Sequence, residues 1–138
     1  MTTNAKSNHI RLRYFIALLV LLAVEVVIAL FVHDRFIRPY VGDIIVVAVV
    51  YCCFRILIPR GAPLMPLYAT AFAVLVEILQ LFNIADLMGL GADSALRIII
   101  GSTYDFIDIV CYCIGGVLIT GTEYALHRLR EAKRESAK

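Results

Sequence analysis

The sequence predicts an all-α fold: a four-helix transmembrane bundle with both ends in the cytoplasm. Three observations point there. Of 138 residues, 62% are hydrophobic and only 17% charged, with a mean hydropathy of +0.88, whereas soluble domains are roughly half apolar and about a quarter charged. The apolar residues gather in four runs, each near the ~20 residues that cross a hydrocarbon layer ~30 Å thick. Basic residues crowd the ends: Lys6, Arg11 and Arg13 precede the first run, and Arg128, Arg130, Lys133, Arg134 and Lys138 follow the last. Four spans leave no room for a separate soluble catalytic or nucleic-acid-binding domain, so 1–138 reads as a single integral membrane domain. The net charge of +2 then reflects topology rather than a polyanion partner.

The first run, 14–32, sits behind basic residues as a signal peptide would. It is longer than a signal h-region, carries Glu25, and has no small-x-small cleavage site before His33-Asp34-Arg35, so it reads as a retained helix. The second, 40–58, is rich in Val and Ile but too long for a strand. Pro59, Arg60, Gly61 and Pro63 stop it. The third, 64–84, tolerates Pro66 in its first turn, where the missing N–H has no intrahelical partner. The fourth covers 104–124, and 126–138 continues as a basic helical tail suited to an anionic inner leaflet. Arg35 and Arg38 in the first connection nearly balance Arg55 and Arg60 around the second, so the basic termini decide the topology and place the first and third connections outside. Within the third connection, 86–103, residues 95–100 are apolar apart from Arg97, the pattern of a short interfacial or re-entrant segment.

A charge at the centre of a spanning helix costs ~2.5 to 3.5 kcal/mol on insertion scales and asks for a partner or a purpose. Glu25 falls mid-way along the first run and Asp43 early in the second. Glu77 and Gln80 share one face of the third, and Asp105 and Asp108 have the same spacing in the fourth. Continuing that stripe adds Tyr112 and Gly115, with Gly101 one turn upstream, a 4-3-4-3 seam that would face the interior. Five carboxylates thus share the outer half with Arg35, Arg38 and Arg97; crowded carboxylates in low dielectric either pair with arginine or hold protons. Asp43 and Asp105, near helix N-termini, also suit simple capping. Only Arg55 and Tyr51 are polar in the inner half.

Taken together, Glu77-x-x-Gln80, Arg97 and Asp105-x-x-Asp108-x-x-x-Tyr112-x-x-Gly115 resemble the signature of the VanZ-like family, small bacterial integral membrane proteins. Tyr112 stands where that family has asparagine. With the stretches Ile37-Arg38-Pro39-Tyr40-Val41-Gly42-Asp43 and Gly101-Ser102-Thr103-Tyr104-Asp105-Phe106, the chain is more similar to a sister group, an uncharacterised bacterial family sometimes labelled YjgA-like. The resemblance covers about residues 14–120. It implies a four-helix protein of the bacterial cytoplasmic membrane with no established reaction, connected to the cell envelope.

Other constellations carry less. Cys52-Cys53 and Cys111-x-Cys113 lack the C-x-x-C spacing of zinc or redox motifs and read as small apolar residues. His9, His33 and His127 lie at membrane edges on different sides, so no metal site unites them. Phosphate loops, metalloprotease helices and nucleophile elbows are missing from the sequence. No cofactor and no nucleic-acid partner is expected. The favoured reading is non-enzymatic: Glu77, Gln80, Arg97, Asp105 and Asp108, supported by Glu25, Asp43 and Tyr112, bind a lipid headgroup, an amine or a partner helix at the outer leaflet. Membrane lipids, a membrane-protein partner or a second copy of the chain are the expected partners. One alternative is a proton-coupled carrier working as a dimer through Glu25 and Glu77, which needs a polar route to the inner side. Another is an enzyme on a lipid-linked substrate, which needs two opposed catalytic groups in an open cavity.

Overall fold

The computed structural model describes residues 2–34, 37–62, 64–82, 87–89, 91 and 105–136. Four helices carry the fold: α1 (Thr2–Phe31), α2 (Ile37–Leu57), α3 (Met65–Leu81) and α4 (Phe106–Glu135), with no strand among the described residues. Within α1, Ser7–Phe31 is long and apolar enough to cross a membrane, as are Arg38–Leu57 of α2 and the whole of α4; α3 is a shorter apolar helix of 17 residues. The β-branched composition of α2 does not make it a strand, because a helix satisfies every backbone group within its own segment, as a hydrocarbon environment demands. Pro39 and Pro66 each sit in a first turn, where a missing N–H costs nothing.

Some helix boundaries differ from the hydrophobic runs. Helix α1 starts twelve residues before Tyr14, and α4 continues without a break through the basic tail to Glu135. Amphipathic, charge-rich sequence extends a helix as well as apolar sequence does, and hydropathy alone does not see it. Asp105 is the N-cap of α4, its side chain accepting from the Ile107 N–H at 2.9 Å. Asp43 is not a cap: α2 begins at Ile37, so Asp43 lies in its second turn, beyond the free N–H groups. The interfacial segment expected at 95–100, with Arg97 and Gly101, lies outside the described residues.

Helix α2 is central, packing against α1, α3 and α4, and α3 packs against α4. The buried core joins Val47, Tyr51 and Cys52 of α2, Met65, Ala69 and Ala73 of α3, and Tyr112 of α4, with Tyr14, Ala17, Leu18 and Leu21 of α1 laid against it. Small residues set the helix separations. A Cβ on Gly115 would stand 2.9 Å from the Ile44 carbonyl oxygen of α2, and one on the next residue, Gly116, would strike the Thr70 hydroxyl of α3. Adjacent glycines point about 100° apart on a helix, so this pair lets α4 wedge between two neighbours at once, the close approach typical of helix packing in lipid. Large apolar residues such as Leu19, Val20, Phe72, Val117 and Leu118 cover the outside, a surface that water would not tolerate and lipid solvates.

Candidate functional site

The buried face of α3 repeats every four residues: Met65, Ala69, Ala73 and Glu77. Three members are apolar and the fourth is a carboxylate, 2% exposed. Such burial needs compensation, and the start of α4 supplies it. Glu77 Oε1 accepts from the backbone N–H of Asp105 at 3.0 Å, and Oε2 accepts from the Tyr112 hydroxyl at 3.3 Å. The N–H groups at a helix N-terminus are free and the macrodipole there favours negative charge, so Glu77 and Asp105 together close the first turn of α4.

Three further carboxyls gather around this anchor. Asp43 of α2 and Asp108 of α4 lie close enough to interact, and Asp43 also feels the charges of Glu77 and Glu25. Glu25 reaches in from α1 against Gly42, with its two oxygens 3.6 and 3.9 Å from the place a Gly42 Cβ would take. Its Oε1 is buried and without a hydrogen-bond partner. Each of the four helices thus contributes one carboxyl: Glu25, Asp43, Glu77 and Asp108.

Of the other residues expected here, Gln80 is half-buried on α3 beyond Glu77, Asp105 is exposed as the cap, and Tyr112 is buried. Arg97 and Arg35 fall outside the described residues. Arg38 is exposed and forms no ion pair with the cluster. Among the described residues, no three His, Cys, Asp or Glu side chains are placed to hold a metal ion. His33 and His127 are exposed, and all four cysteines are free thiols, Cys52 and Cys111 buried.

A family model described as a protein of unknown function, DUF2809, matches residues 32–116, well over half of the chain. The chain belongs to the DUF2809 family. No curated protein and no solved structure matches it. The DUF2809 segment contains Asp43, Glu77, Asp108, Tyr112 and the Gly115–Gly116 pair; Glu25 and the second half of α4 lie beyond it.

That second half holds polar residues the sequence reading missed. In the DUF2809 chain, the Tyr51 hydroxyl donates to the Glu123 carboxylate. Tyr51 also meets Tyr14 edge to face, ring centroids 5.9 Å apart, and the Arg55 guanidinium lies 4.8 Å from the Tyr14 centroid. Glu123 was legible in principle: extending the seam Asp108, Tyr112, Gly115 by two steps of four gives Ile119 and Glu123. Val47, fully buried, lies on α2 one turn from each of Asp43 and Tyr51, between this inner group and the carboxyl cluster.

Proposed function

We propose that this DUF2809 chain is a multi-pass protein of the bacterial cytoplasmic membrane, allied to the VanZ-like proteins of the cell envelope, and that its carboxyl cluster binds a protonated amine at the outer leaflet. The observation that carries this reading is the meeting of one carboxyl from each helix with no cation among the described residues, where Glu25 Oε1 is buried and lacks a donor. An ammonium group brings three N–H donors and a positive charge in a compact form. Charge-assisted bonds in a desolvated setting are roughly twice as strong as neutral ones. The amine can come from a lipid headgroup or from a free solute.

Native mass spectrometry of the protein in nanodiscs separates these sources. Phosphatidylethanolamine is expected to be retained over phosphatidylcholine, whose quaternary headgroup has no N–H, and Asp108→Asn should weaken retention by about tenfold. Displacement by ethanolamine alone would assign the site to free amines, and equal retention of both lipids would remove the reading.

The topology is tested separately. Reporter fusions at Lys138 and near Asp93 should report opposite sides of the membrane, as the basic ends require; the same side for both would overturn the four-span arrangement.

A proton-coupled carrier remains the second reading because the Tyr51–Glu123 pair adds a carboxyl towards the opposite end of α4. Val47, 0% exposed, packs in the core between that pair and the cluster, which ranks binding at one end above passage through the bundle.

A further inference from the structure

We propose that the basic end of the bundle carries a second site, one that holds an anionic phospholipid by its phosphate and by one acyl chain. Arg55 is the starting point. Its Nε is buried and has no hydrogen-bond partner, and among the described residues the guanidinium touches the Tyr14 ring but pairs with no carboxylate. Glu123 is engaged by Tyr51, and Glu131 stands 3.4 Å from His127. A guanidinium with one buried N–H unpaired and no anion beside it is incompletely compensated, and its planar fork matches a phosphate in two parallel bonds.

Space for such a group is present. A cavity of about 400 Å³ has Tyr14, Arg55, Glu123, Leu126, His127 and Arg130 among its lining, so two arginines face one carboxylate already hydrogen-bonded elsewhere. Adjoining it, and sharing Tyr14, Glu123 and Leu126, an apolar groove of about 340 Å³ runs between α2 and α4 past Ile44, Ala48 and Leu118. A free anion would fill only the cavity and a hydrocarbon only the groove. A phospholipid fills both, with its phosphate on Arg55 and Arg130 and a chain along Ala48. Juxtamembrane basic residues attract anionic lipids electrostatically, and the remaining basic residues of the tail lie at this same end.

The site is independent of the carboxyl cluster, and the experiment keeps them apart. The full chain is placed in phosphatidylcholine nanodiscs doped with phosphatidylglycerol, and retained lipid is read by native mass spectrometry. The wild type should keep one phosphatidylglycerol. Arg55→Gln and Arg130→Gln should each reduce retention at least roughly tenfold, as loss of a charge-assisted pair implies. Ala48→Phe, which fills the groove and leaves both arginines in place, should reduce it too. Asp108→Asn, in the other cluster, should leave it unchanged. Because Arg130 is exposed, its replacement gives a folded protein even if Arg55→Gln does not, as circular dichroism will report. Undiminished retention in Arg130→Gln, equal retention of phosphatidylcholine, or displacement by inorganic phosphate would each overturn the proposal.

Discussion

Glu77→Ala is expected to lower the unfolding free energy by ~2 to 4 kcal/mol, read from thermal or denaturant unfolding in detergent. The loss has two sources. Truncating a side chain that is 2% exposed leaves a cavity between α3 and α4. It also strands the buried Tyr112 hydroxyl, at ~1 to 3 kcal/mol for a group left buried and unpaired, and takes the acceptor from the more exposed Asp105 N–H. Relief of repulsion from Asp43 works in the other direction and keeps the total below the sum. Glu77→Gln preserves a carbonyl acceptor and most of the volume, so it should lose less than half as much. Tyr112→Phe combined with Glu77→Ala should add less than the two single losses, because both remove one bond. Equal, small effects of Ala and Gln would show that the carboxylate does not hold the start of α4.

Gly115→Ala should be nearly as damaging, at ~1 to 3 kcal/mol, the usual range for overpacking a close-packed interior. The atom in its way, 2.9 Å from the new Cβ, is the Ile44 backbone oxygen, and it moves only if α2 moves. Gly116→Ala meets the Thr70 side chain instead of a backbone atom, its hydroxyl first and its Cβ and Cγ2 at 3.2 and 3.3 Å. Relief takes a rotation that gives up the bond to the Pro66 carbonyl and a small shift of α3, so its effect should be no larger. Gly121 lies on the same helix with nothing within 4 Å of an added Cβ. There Ala should be neutral or stabilising by up to about 1 kcal/mol through helix propensity alone. A series in which all three replacements behave alike would mean that helix propensity, not the α2–α4 distance, governs these positions.

The helices were legible because length and hydropathy are properties of local sequence, and a run too long for a strand has one solution in lipid. The seam through Asp108, Tyr112 and Gly115 was legible for the same reason: spacing along a helix fixes a face. What escaped depends on which helix lies opposite. Nothing in the sequence tells that Glu77 faces the first turn of α4, so that a residue weighed for ligand binding also satisfies a helix end. Asp43 looked like a cap because the apolar run begins near it, whereas α2 begins earlier, at Ile37. Glu123 escaped because its partner, Tyr51, is 72 residues away. Glu25 could be recognised as expensive from its depth, yet its neighbour is a glycine whose missing side chain makes the room.

The shortness of α3 has a consequence for the lipid around it. Seventeen residues at 1.5 Å each rise about 25 Å, some 5 Å less than a typical hydrocarbon layer. The short connection 58–64 ties the first turn of α3 to the end of α2, so the deficit falls at the other end, around Leu81, one turn past Glu77. A bilayer meets such hydrophobic mismatch by thinning locally, at a cost of fractions of a kcal/mol per Å. In the proposed membrane setting, such thinning would bring the headgroup layer towards the level of Glu77, so that the amine proposed for the four carboxyls would cross little hydrocarbon to reach them.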